Sequence, residues 1–171
     1  MTKNRITLLV TGLELFHPKV RSIDAVIKEL IQESRKELHI ATYLLTIGAS
    51  HIIEELEKAA KRGVKVIFLI DRLESKNPVI KKKLGMLDEY PNVDIISFSD
   101  PKGGHLHAKV LVMDRVKAVI GSANLSWGGM VVNYEIGVLL EGEIAWKIAE
   151  VIDRLAIIAK KHKNHTTNRH T

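Results

Sequence analysis

The 171-residue sequence predicts an α/β domain in which a mixed, largely parallel β-sheet is sandwiched between helices on both faces. Three observations lead there. Apolar residues recur at three- and four-residue spacing over 19–36, 50–62 and 144–160, the signature of helices with one buried face. Between them stand short β-branched runs, such as Val64 to Ile70, of the kind shown by strands covered on both sides. The order strand, helix, strand around residues 38–70 then requires a parallel crossover. The length fits one domain over residues 1–160 and a short tail over 161–171.

Taken in order, Ile6 to Val10 reads as a first strand. Val20, Ile23, Val26, Ile27, Leu30 and Ile31 mark one face of the first helix, and Leu38 to Leu45 a second strand. The helix from Ser50 to Arg62 has Ser50 as its expected N-cap, basic residues in its last turn and Gly63 as its stop. Val64 to Ile70 is the next strand, with Asp71 at its C-terminal edge. A helix around Val79 to Leu87 precedes a strand from Val93 to Ser97, and Asp100 to Gly104 is a loop. Leu106 to Met113 and Lys117 to Gly121 form a hairpin, Ile136 to Leu140 a last strand, and Ile144 to Lys160 a closing helix in which Trp146 is expected in the core. From Lys161 the chain has no apolar residue and is expected to be disordered, with His162, His165 and His170 solvated.

Composition narrows the function. The chain has no cysteine, which excludes disulfide frameworks and thiolate metal sites and agrees with a cytoplasmic protein. Its net charge of +6 suggests a polyanionic partner, but the last twelve residues hold four basic groups and no acid. The body is close to balanced, so attraction must come from local clusters such as Lys81-Lys82-Lys83, from Lys102, or from the tail. No uninterrupted apolar run is long enough to insert stably in a membrane. The apolar start after Lys3 and Arg5 is broken by Thr7, Thr11, Gly12 and Glu14, unlike a signal peptide.

One stretch carries chemistry: His105-Leu-His107-Ala-Lys109, followed by Val110 to Met113 and Asp114. On a strand, His107 and Lys109 share a face. Asp114 has the opposite parity, at the turn, and is expected to support the turn and not touch substrate. If the turn is centred on Arg115 and Val116, Lys109 lies opposite Ser122 and His107 opposite Asn124, and four polar groups surround one phosphate-sized volume.

The spacing His-x-Lys-x4-Asp-x6-Gly-Ser-x-Asn over His107, Lys109, Asp114, Gly121, Ser122 and Asn124, followed by Asn133-Tyr-Glu135, resembles the phospholipase D (HKD) superfamily. Residues 19–71 are similar, more loosely, to the amino-terminal half-unit of that family. His17-x-Lys19-x4-Asp24 satisfies the short pattern too, but it lies against a helical period and lacks the Gly-Ser that should follow.

The resemblance implies a metal-independent phosphodiesterase with no cofactor. His107 is the implied nucleophile forming a phosphohistidine, Glu135 its orienting group, Lys109 and Asn124 the phosphoryl ligands, and Ser122 their support. The reaction needs a second histidine as acid, and one motif supplies one. A homodimer with the active site at its two-fold is therefore expected, with His105 as the rival internal acid. Among substrates, a nonspecific nuclease acting on DNA or RNA is favoured, with Lys81, Lys82, Lys83 and Lys102 as phosphate contacts. Trp127 is a base-stacking candidate whose competing role is packing at the start of a short helix. A phospholipid hydrolase or transferase and an inactive phosphate-binding module stay open.

Overall fold

The computed structural model describes residues 4–12 and 19–167, with side chains to His162. Eight strands form one sheet: β1 (Arg5–Thr11), β2 (Arg21–Ser22), β3 (Glu37–Thr42), β4 (Lys65–Asp71), β5 (Val93–Phe98), β6 (Lys109–Met113), β7 (Lys117–Gly121) and β8 (Glu135–Glu141). Their spatial order is β2-β1-β8-β7-β6-β3-β4-β5. Four helices accompany them: α1 (Ile23–Glu33), α2 (Ser50–Lys61), α3 (Pro78–Asp88) and α4 (Glu143–Thr167).

The α/β architecture and mixed sheet are as the sequence predicts, but the sheet is not largely parallel: four strand pairs are antiparallel and three parallel. The parallel pairs are β1 with β2, β3 with β4 and β4 with β5, while β3, β6, β7, β8 and β1 follow one another antiparallel. Parallel pairing thus belongs to the β3-α2-β4-α3-β5 crossovers, and the motif-bearing half is antiparallel.

Two apolar layers hold the sheet. One face packs Leu9, Ile40, Val66, Phe68 and Leu111 against the buried faces of α1, α2 and α3. The other packs Ala41, Leu69, Val112 and Ala118 against Ala145, Ala149, Ile152 and Ala156 of α4. The small residues of α4 let it lie close across the sheet. Ser22 caps α1 by accepting from Ala25 N–H (3.4 Å), and Asn77 caps α3, which has proline at its start. Gly63, at φ 87°, ends α2 as expected.

Several expectations change. Helix α2 begins at Ser50 itself, whose hydroxyl donates back to Ile47 O (2.7 Å), so Ser50 is not a side-chain N-cap. Trp146 is exposed, on the outer face of α4. Helix α4 runs to Thr167, so the segment expected to be irregular from Lys161 is helical that far. His170 and His17 lie outside the described residues. Among the described residues, no helix is long and apolar enough to cross a membrane.

The hairpin register differs by one residue from the sequence expectation. Val110 pairs with Ile120 and Met113 with Lys117, leaving Asp114, Arg115 and Val116 as a three-residue loop. Asp114 and Arg115 both take positive φ (50° and 57°), and Val116 N–H donates to Met113 O (3.0 Å). Contacts from outside the hairpin fix this strained turn. The Asp114 carboxylate accepts from the backbone N–H of Arg35 (3.0 Å), Lys36 (2.8 Å) and Glu37 (2.9 Å), and Arg115 is gripped by Glu37 and Asp153. Continued past Val110, this register carries Lys109 toward Gly121 and not Ser122.

Candidate active site

All the strands that matter end at one edge of the sheet. The carboxyl ends of β3, β4 and β7 meet the amino ends of β6 and β8 there, the edge at which open α/β sheets present ligand sites. Strand β6 starts at Lys109, so His107 stands on the extended lead-in and not within the strand. Tyr43, just past β3, donates its N–H to Ala108 O (3.0 Å) and so continues the ladder beside His107.

The Tyr43 ring organises the cluster. Its centroid lies 4.6 Å from that of His107 and 5.8 Å from that of His105. Lys109 Nζ and Lys76 Nζ lie 5.6 and 5.3 Å from it. Lys109 Nζ also lies 3.2 Å from His107 Nδ1 and donates to His107 O (3.2 Å). Its stem borders an apolar cavity lined by Ile23, Ile40, Ala123 and Leu125, and burial lowers the pKa of its ammonium despite the opposing pull of Glu135.

Glu135, at the start of β8, binds elsewhere. It takes hydrogen bonds from the Ser122 hydroxyl and from Asn133 Nδ2 (3.2 Å). Among the described residues Glu135 makes no hydrogen bond to His107, whose Nδ1 is approached by Lys109 Nζ. Ser122 is locked onto β8, its N–H donating to Ile136 O (3.0 Å) and its Oγ accepting from Ile136 N–H (3.2 Å). Gly121 makes this possible: a Cβ there would lie 2.7 Å from Ile136 O and 2.8 Å from Gly137 Cα. Asn124 Oδ1 is buried without a hydrogen-bond partner among the described residues. Asn124 is held by the close approach of Gly129, where a Cβ would come within 2.2 Å of its carbonyl oxygen.

The remaining candidates divide. Lys81 reaches Glu74 O (3.1 Å), near Lys76, whereas Lys82 and Lys83 line a groove between α2 and α3 with Glu54, Glu57 and Glu89. Lys102 lies in the loop held by Asp100, which accepts from Lys102 N–H (3.0 Å) and Gly104 N–H (3.2 Å). Trp127 precedes the helical turn Gly128–Val132 as expected, but it is 57% exposed and its indole is not core. Asp24 of the short decoy pattern pairs with His51 (2.6 Å) and Lys28 (3.0 Å) in the first turn of α1.

Sequence reasoning passed over Tyr43 and Lys76 and read Asp71 only as a strand edge. The available signal was position, since Tyr43 and Asp71 stand at the carboxyl ends of adjacent parallel strands.

Residues 27–156 match the family model described as "Cardiolipin synthase, PLD-like domain". The chain belongs to the PLD-like (HKD) superfamily. It is 32% identical over 135 residues to the DISARM protein DrmC of Bacillus paralicheniformis, covering 78% of this chain and 56% of that one. The chain therefore spans about half the length of this curated relative. In fold it is similar to NucT from Helicobacter pylori, with TM-score 0.73, 21% identity and coverage of 92% of this chain and 98% of that one. It is also similar to Nuc, a phospholipase D family member from Salmonella typhimurium, with TM-score 0.71, 19% identity and coverage of 93% and 95%.

Proposed function

We propose that this chain is a phosphodiesterase acting on nucleic acid through a phosphohistidine at His107, with two copies forming the complete site. The observation that carries the reading is the grouping of His107, Lys109 and Tyr43 beside the Ser122–Glu135 pair at one sheet edge. Imidazole suits the role because its neutral form is abundant near pH 7.

The scheme has two steps. His107 Nε2 attacks phosphorus, the bond to the leaving oxygen breaks, and a second imidazole gives that oxygen its proton. Water then attacks phosphorus, losing its proton to the second imidazole, and the P–N bond breaks to release His107. For Nε2 to carry a lone pair, the ring proton must sit on Nδ1. An ammonium at 3.2 Å from Nδ1 opposes that tautomer. An arriving phosphate draws Lys109 to its own oxygens, frees Nδ1 and leaves it to a carboxylate acceptor, for which Glu135 is suited. Substrate thus prepares its own nucleophile.

The second imidazole comes from His107 of another copy. Support lies in an exposed apolar stripe that runs along the sheet from the site end: Ile136 of β8 and Leu8 and Ile6 of β1 share one face, and all three are exposed. Tyr134 and Val132, beside Glu135, extend it. A nucleic-acid substrate is supported by Lys76, Lys81, Lys102 and the exposed Trp127 around the site, and by the fold shared with NucT and Nuc. Lys82 and Lys83 contribute less, since three glutamates share their groove.

The test is incubation of wild type and His107→Ala with plasmid DNA and with phospholipid vesicles, both in EDTA. Wild type should cut DNA, and the variant should lose at least about 10³-fold in rate. DNA cleavage that needs added metal contradicts the scheme; turnover of vesicles alone assigns the same chemistry to lipid.

A further inference from the structure

His105 is built differently from a loose loop residue. Its Nδ1 lies 3.0 Å from Asp71 Oδ2, while Asp71 Oδ1 accepts from Leu106 N–H (2.8 Å). Asp71 is only 2% exposed, so its carboxylate is a buried charge that needs partners. The imidazole itself is 43% exposed. Its loop is fixed from three sides, by Asp71, by the Asp100 turn and by Arg72, which donates to Gly103 O (3.3 Å). The result is a ring clamped at one nitrogen whose other nitrogen, Nε2, has no partner among the described residues.

Lys76 stands nearby, within electrostatic reach of Asp71, which holds His105. Its Nζ donates to Tyr43 O (2.9 Å) and lies over the Tyr43 ring, and burial lowers its pKa against the attraction of Asp71 and Glu74. The Tyr43 ring is therefore shared by two histidines, His107 and His105, and two cations, Lys109 and Lys76.

Building on the phosphodiesterase reading, we infer that His105, held by Asp71, and Lys76 form a second phosphate subsite beside Tyr43, next to the His107 site, engaging a neighbouring phosphate of a polynucleotide while the first one reacts. When the ring carries both protons, Nε2–H donates to a phosphate oxygen while Nδ1–H stays held by Asp71. With Lys76 and Arg72 set against Asp71 and Glu74, a ring carrying both protons leaves the cluster with one positive charge for the anion. Tyr43 supplies a flat spacer against which the intervening sugar or base packs. In this arrangement His105 binds and positions; it does not transfer the reaction's proton.

The discriminating comparison is between a diester with one phosphate, bis(p-nitrophenyl) phosphate, and an oligothymidylate with several. His105→Ala should keep kcat/KM on the first within about twofold and lower it on the second about tenfold, mainly through KM. Lys76→Ala should act in the same direction, and His105→Lys should recover most of the loss. Equal losses on both substrates, or no loss on either, overturn the subsite. Thermal unfolding of each variant separates a loosened loop from a lost contact. If wild type turns over neither substrate, the phosphodiesterase reading fails, but equilibrium binding in EDTA still reads the subsite. Wild type should then bind the oligothymidylate more tightly than the one-phosphate dinucleotide TpT, and His105→Ala should erase the difference; equal affinities in wild type overturn it.

Discussion

Lys109 has a divided environment, with its stem over apolar residues and its ammonium against His107 and the Tyr43 ring. A preorganised cation in a partly dry site stabilises developing phosphoryl charge strongly. Lys109→Ala should therefore lower kcat by about 10²-fold or more, with Lys109→Arg a poor substitute because a planar fork does not fit a point-charge position. Steady-state kinetics on a one-phosphate diester check this. Asp114, the last member of the motif, takes part differently. Its carboxylate gathers three backbone N–H groups from the α1–β3 connection onto the hairpin turn. Asp114→Ala should cost about 2 kcal/mol of stability in urea unfolding, with kcat of the folded fraction little changed. A large loss of kcat at full stability would place Asp114 in the chemistry instead.

At the scale of elements, the β6–β7 hairpin shows what alternation conveys and what it does not. That Lys117 to Gly121 is a strand was legible from composition, and so was the turn at Asp114. The register was not, because two residues at positive φ are held by partners 38 to 79 positions away in sequence, Asp153 and Arg35 to Glu37. Glycine carries the same lesson: Gly121→Ala should part β7 from β8 and displace Ser122, lowering both activity and thermal stability.

Strand β3 and helix α4 are joined by a polar cluster around the buried His39. His39 lies 3.0 Å from Asp153 and near Glu37 and Arg115, and burial lowers its pKa below 6.5 although both carboxylates oppose this. The unfolded chain then binds more protons than the folded one as pH falls below about 6.5. Stability contributed by neutral His39 is present above that pH and declines below it. Urea midpoints measured from pH 8 to pH 5 should fall at the acidic end, and His39→Gln should flatten that fall.

For the whole molecule, the central proposal is that one copy of the motif supplies half of a site. The residue types at the site were legible because polar side chains interrupt an otherwise apolar β pattern at His107, Lys109, Ser122 and Glu135. Tyr43 and Lys76 were not, since nothing local distinguishes them from packing and surface residues; only the sheet order brings them in. The same order exposes Ile6, Leu8 and Ile136 together. Leu8→Asp should shift the protein to monomer in sedimentation and abolish cleavage with it, whereas an active monomer would remove the need for a second copy.

The most direct measurement is to quench a reaction with phosphate-labelled oligonucleotide in EDTA and map the label by mass spectrometry under alkaline conditions. A phosphoramidate is expected on the peptide carrying His107, absent in His107→Ala. A label on another residue, or cleavage that continues in His107→Ala, contradicts the phosphohistidine scheme.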